Sequence, residues 1–190
     1  MHKLPLLLTL LRVLLAPLVV ALACLQGSGA AFALCLSAAF LSDVFDGMLA
    51  RRLGVATPSL RRLDSIADSI FYVAATLAVW MLHPDAIISR AWPLAILGAL
   101  ELTRYGFDIA KFGREASYHM WSSKAWGVAL FAGFLSLLAF DSDNAAVDAA
   151  IWLGILSDLE GLAISVVLSR WRNDVPTLVH ALRQRTPAPD

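Results

Sequence analysis

The stretch Ala30-Ala31-Phe32-Ala33-Leu34-Cys35-Leu36-Ser37-Ala38-Ala39-Phe40-Leu41-Ser42-Asp43-Val44-Phe45-Asp46-Gly47-Met48-Leu49-Ala50-Arg51-Arg52 decides how the rest is read. It opens on a long run without charge, acquires two aspartates near its end, and closes on two arginines. A helix crosses a bilayer in about 20 residues at 1.5 Å rise each. The run therefore predicts a membrane-spanning helix from Ala30 to Leu49, with its acids at one membrane face.

Five more stretches have the same character: Leu6 to Leu25, Leu63 to Leu82, Ala86 to Phe107, Ala125 to Phe140 and Ala149 to Leu168. The whole chain has 190 residues, 59% of them hydrophobic, and a mean hydropathy of +0.71. A water-soluble fold of this size has no means of hiding that much apolar surface, whereas a bilayer removes the need. Gln26-Gly27-Ser28-Gly29, His83-Pro84-Asp85 and Asp141-Ser142-Asp143-Asn144 carry the chemistry of helix breaks. The expected fold is all-α: a single polytopic domain over residues 1–185 with six transmembrane helices running up and down. Thr186 to Asp190 is expected to be a disordered tail.

Charge fixes the orientation. Lys3, Arg12, Arg51, Arg52, Arg61, Arg62, Arg104, Lys111, Arg114, Lys124, Arg170, Arg172, Arg183 and Arg185 fall on one side of this layout, and Arg90 alone on the other. Basic residues of short loops stay in the cytoplasm, so both termini are expected there. The first apolar run is read as a span and not as a signal peptide, because Arg12 interrupts it and Pro17 sits within it. Cys24 and Cys35 lie inside spans and are read as packing residues. The formal net charge is zero; it points to no partner, and no nucleic acid is expected.

Asp43, Asp46, Gly47 and Ala50 stand at i, i+3, i+4 and i+7, one face of a helix. Asp64 and Asp68 share a face of the next. The two helices are antiparallel neighbours, so all four carboxylates are expected in one cleft. Four such charges repel in a low dielectric. Arg51, Arg52, Arg61 and Arg62 are available to offset them, and a divalent cation offsets them better. Oxygen-only ligands favour Mg²⁺, Mn²⁺ or Ca²⁺ over zinc, and paired ions suit phosphoryl chemistry. Gly47 and Ala50 leave room for a nucleotide or pyrophosphate. The alternative is that these acids are merely solvated helix ends.

The pattern resembles the CDP-alcohol phosphotransferase family, whose signature reads D-x2-D-G-x2-A-R, eight or nine residues, then G-x3-D-x3-D. Asp43, Asp46, Gly47, Ala50, Arg51, Asp64 and Asp68 match seven of its eight positions. The second glycine is replaced by Leu60, which precedes Asp64 by one helical turn; Thr57-Pro58 reads as a helix start, placing Leu60 inside the helix. Thr9-Leu10-Leu11-Arg12 resembles the Thr-x-x-Arg that opens the family's first span.

The resemblance implies an integral-membrane enzyme of phospholipid biosynthesis in the cell membrane, with its active site at the cytoplasmic face. It would move a phosphatidyl group from a CDP-linked lipid, usually CDP-diacylglycerol, to an alcohol and release CMP. Asp43, Asp46, Asp64 and Asp68 would hold Mg²⁺ or Mn²⁺, one or two ions in all. Asp68 would also be the general base. Gly47, Ala50 and Arg51 would meet the nucleotide of the donor. Arg104, Lys111, Arg114 and Lys124 are candidates for a phosphorylated acceptor, with glycerol 3-phosphate the default. Their bland reading is positive-inside anchoring, or pairing with Glu101 and Asp108. The resemblance also implies a homodimer. Two other functions compete: a divalent-cation transporter, disfavoured because the acids cluster at one membrane face, and a non-catalytic relative that binds lipid or nucleotide.

Overall fold

The computed structural model of the chain describes residues 4–52 and 58–185, with the side chains of residues 6–49, 52, 60 and 62–184. The expected tail at Thr186 to Asp190 lies outside the described residues, as does Thr57. Every named element is helical: α1 (Leu4–Cys24), α2 (Gly29–Arg52), α3 (Pro58–Leu82), α4 (Pro84–Ile88), α5 (Ala91–Phe112), α6 (Trp121–Phe134), α7 (Ala145–Val167) and α8 (Leu178–Arg185). Past its last α-helical residue, α6 continues as a π-helical turn at Leu135–Ala139. The chain divides into two compact units, residues 1–88 with 134–144, and residues 89–133 with 145–190.

In the first unit α1 packs against both α2 and α3, and the start of α2 packs on the π turn. Gln26, in the left-handed region at φ 49°, makes the break between α1 and α2. Gly29 opens α2 where a Cβ would stand 2.1 Å from the carbonyl oxygen of Ala139, so only a glycine admits that approach.

The faces of α1 invert the usual rule for water. Thr9, Arg12, Ala16, Val19 and Ala23 point inward, whereas Leu7, Leu10, Leu14 and Leu18 point out. Arg12 is 1% exposed and Leu14 61%. Leucines outside and an arginine inside is the arrangement a hydrocarbon solvent imposes, because ionisable groups must turn away from lipid.

In the second unit α5 lies along α7, and α8 closes on α7. A small core of Tyr118, Met120, Ile164, Leu168, Val175 and Ala181 joins the α5–α6 loop to the C-terminal segment. The loop is further tied there by the backbone bonds Asp174 N–H to Ser117 C=O (3.1 Å) and Trp121 N–H to Pro176 C=O (3.2 Å).

Among the described residues, five helices are long and apolar enough to cross a membrane: Leu6–Cys24, Gly29–Leu49, Arg62–Leu82, Trp121–Ala139 and Ala145–Val167. By length and composition they give the chain the make-up of a multi-pass membrane protein. The run expected to span from Ala86 to Phe107 differs. Its helix breaks at Ser89-Arg90, and α5 begins afresh at Ala91. That helix carries Glu101, Arg104, Asp108 and Lys111 on successive turns, which sets it apart from the five by composition, although its 22 residues reach about 33 Å. Cys24, expected as a packing residue, is exposed; Cys35 is buried.

Candidate active site: four aspartates around a buried arginine

The C-terminal part of α2 presents Asp43 and Asp46, and the N-terminal part of α3 presents Asp64 and Asp68. The i, i+3 and i, i+4 spacings give each pair one face, and α1, lying against both helices, brings the two faces to a common point. That point is Arg12. Its Nη1 lies 3.3 Å from Asp43 and also contacts Asp68; its Nη2 lies 2.7 Å from Asp46 and 2.9 Å from Asp64. Thr9, one turn earlier, donates its hydroxyl to the same Asp46 oxygen at 3.1 Å.

The four acids differ in setting. Asp46 is buried, whereas the side chains of Asp43, Asp64 and Asp68 keep 40%, 28% and 30% of their surface. One carboxylate oxygen from each of these last three lies within 4.8 Å of the others. Three half-open carboxylates thus make a negatively charged mouth over a deeper Asp46–Thr9–Arg12 floor. Gly47 is half-buried in α2 and Leu60 half-buried in α3, inside the helix as expected. Ala50 and Arg51 belong to α2 by their backbone, and their side chains lie outside the described residues.

Sequence reasoning found the four aspartates and missed their partner. Of the arginines expected to offset them, Arg52 and Arg62 are exposed, and the side chains of Arg51 and Arg61 lie outside the described residues. Among the described residues, the cation that touches all four acids comes from α1. A signal existed: an arginine in the middle of an apolar span must face something anionic.

The candidate acceptor residues lie in the second unit, each against a partner. Arg104 forms an ion pair with Asp158 of α7, Nε to Oδ1 at 3.0 Å. Gly161, one turn on, makes space for the arginine: a Cβ there would stand 2.9 Å from Arg104 Cδ. Lys111 donates to the carbonyls of Ser165 and Val166 at 2.8 and 3.0 Å, a cation on the C-terminal end of α7. Arg114 lies over the Trp171 ring at 5.0 Å and Lys124 over Trp121 at 4.3 Å. Between Arg104 and Lys111, Asp108 accepts a hydrogen bond from Ser165, whose oxygen lies 2.8 Å from the Tyr118 hydroxyl. Because the serine proton is committed to the carboxylate, Tyr118 is the donor in that second bond. Burial raises the Tyr118 phenol above its ordinary pKa, which keeps that proton in place.

A cavity of about 320 Å³ lies at the other end of the first unit, lined by Gln26, Gly27, Phe32, His83, Leu137 and Asp141 among others. It contains none of the candidate catalytic, metal or substrate residues.

Over residues 2–167 the sequence matches the family model described as CDP-alcohol phosphatidyltransferase. No curated protein and no solved structure matches the chain.

Proposed function

The chain belongs to the CDP-alcohol phosphatidyltransferase family, membrane enzymes that transfer a substituted phosphate group from a CDP-alcohol, and we propose that its donor is CDP-diacylglycerol, its product a phosphatidyl alcohol and its by-product CMP. The observation that carries this reading is the convergence of Asp43, Asp46, Asp64 and Asp68 on one point in α1–α3.

Family membership implies a divalent metal, and the residues fit one. Oxygens of Asp43, Asp64 and Asp68 within 4.8 Å of each other form a hard, anionic donor set suited to Mg²⁺ or Mn²⁺. Asp43, Asp46, Asp64 and Asp68 are the ligands we assign. Bound there, one or two ions supply charge neutralisation at the donor pyrophosphate and at the departing CMP.

The chain's own groups do the rest. Gly47 and Ala50 keep the α2 face low, so that the nucleotide approaches the helix, and Arg51 meets its phosphates. Asp68 takes the proton from the acceptor hydroxyl as its oxygen forms a bond to the lipid-side phosphorus. The bond from that phosphorus to the CMP oxygen breaks, and CMP leaves with the electron pair. Most of the acceleration comes from positioning and charge, with the base adding a further factor. Glycerol 3-phosphate is the acceptor we assign, with Arg104, Lys111, Arg114 and Lys124 as the cations for its phosphate. The family match runs through parts of both compact units, which supports residues 1–185 acting as one functional domain. Family likeness also supports a homodimer.

Purified protein incubated with CDP-diacylglycerol and a panel of alcohols is expected to release CMP only when Mg²⁺ or Mn²⁺ and an acceptor are both present. Full turnover in excess chelator would overturn the metal-dependent reading, and ion flux across vesicles without CMP release would favour a transporter.

The same reading has α5 crossing the membrane as a sixth span, its charges turned to α7 through Arg104–Asp158 and Lys111. Fourteen of fifteen basic residues then lie on the cytoplasmic side, counted over the sequence. Tags at both termini are expected to be reachable from the cytoplasm alone; labelling of either from outside intact cells would break the layout.

A further inference from the structure

We propose that Arg12 is a resident cation of the aspartate cluster, holding the four carboxylates together in the metal-free protein and competing with divalent ions for them. This rests on the metal-site reading above. The two Nη groups of Arg12 occupy the space between the very oxygens assigned as ligands, at 2.7 Å from Asp46, 2.9 Å from Asp64 and 3.3 Å from Asp43, and in contact with Asp68. A magnesium ion needs those oxygens at about 2.1 Å, in a shell that has no place for a guanidinium hydrogen. It would also sit beside a positive charge in a site of low dielectric. Ion and guanidinium therefore exclude one another from shared oxygens.

The way Arg12 is held suits a side chain that yields. Its Nε is buried and makes no hydrogen bond, so the head is anchored through the Nη atoms alone. Every anchor is a carboxylate that a divalent ion would claim. Thr9 supplies Asp46 with a second donor, which remains when Arg12 withdraws. Without a cation of some kind, four acids at this depth would repel each other and separate α2 from α3.

The test uses the full chain in detergent or nanodiscs, with Mn²⁺ as the probe and no lipid substrate. Mn²⁺ affinity is read by electron paramagnetic resonance, and melting temperature is read with and without saturating Mn²⁺. Arg12→Gln is expected to bind Mn²⁺ about tenfold more tightly, or better, because one opposing unit charge is gone. Its metal-free melting temperature should fall well below that of the unsubstituted protein, and saturating Mn²⁺ should close most of that gap. Equal or weaker Mn²⁺ binding, with the same loss of melting temperature in both states, would show Arg12 to be a fixed support of the loaded site and would overturn the proposal. Should Arg12→Gln fail to fold, Arg12→Lys keeps a charge but loses the two-pronged contact; tighter Mn²⁺ binding than in the unsubstituted protein is expected there too, and unchanged binding refutes competition. Absence of Mn²⁺ binding by the unsubstituted protein and by both variants would sink the metal site itself, a result distinct from equal binding by all three.

Discussion

Asp68→Asn is expected to lower turnover by about a hundred- to ten-thousandfold, the range associated with removing a positioned general base. The amide keeps nearly the same volume and one oxygen, so α3 should fold as before. Mn²⁺ and CDP-diacylglycerol should still bind, because Asp43, Asp46 and Asp64 remain. The measurement is single-turnover CMP release beside metal and donor affinity. If donor and metal affinity collapse along with turnover, Asp68 is chiefly a ligand and the proton goes elsewhere. The geometry gives the experiment its edge: Asp68 keeps 30% of its side-chain surface, open to an incoming hydroxyl, whereas Asp46 keeps 6%.

The second large effect lies in the other compact unit. Asp158 is 1% exposed in the middle of α7, and one of its oxygens has no hydrogen-bond partner. Its charge is balanced by Arg104 at 3.0 Å. Truncating one member of such a pair leaves the other uncompensated. Asp158→Ala is expected to destabilise the protein by about 3 kcal/mol, the low end of the usual range because Arg104 keeps a quarter of its surface. Replacing both members, Asp158→Leu with Arg104→Met, should recover most of that loss, since two apolar side chains carry no desolvation cost. Reversible unfolding in denaturing detergent, compared across the three proteins, checks the pair. Stability unchanged in Asp158→Ala would show that the ion pair contributes nothing.

These two sites also mark how far the sequence could be read. Asp43 and Asp46, and Asp64 and Asp68, announce themselves because helical spacing alone puts each pair on one face. Their meeting was legible as well, since a short connection between antiparallel helices leaves little choice. Arg12 was legible as a cation in need of an anionic partner, but not as the partner of these four acids. Within Leu6 to Leu25 it reads as an interruption of an apolar run, and which face of α1 turns inward depends on how α1 packs between α2 and α3. Asp158 was hidden for the same reason, a single acid in the apolar run from Ala149 to Leu168. The run from Ala86 to Phe107 departs from its reading in another way. Its average hydropathy conceals a break at Ser89-Arg90 and a polar face whose charges find partners on α7. Hydropathy averages over the helix circumference, whereas the fold responds to each face separately.

The outward leucines of α1 bear on how that helix stays attached. Surrounded by acyl chains, Leu7, Leu10, Leu14 and Leu18 gain nothing by leaving lipid for protein, so the water-driven force that assembles soluble bundles is missing here. Adhesion of α1 to its neighbours falls to close contact of small side chains such as Ala16 and Ala23, and to polar bridges across the helices. Arg12 is the bridge that reaches both α2 and α3. The side chain that balances the acids is thus also a rivet between three helices, and any ligand that draws those acids away from it loosens the first helix of the bundle.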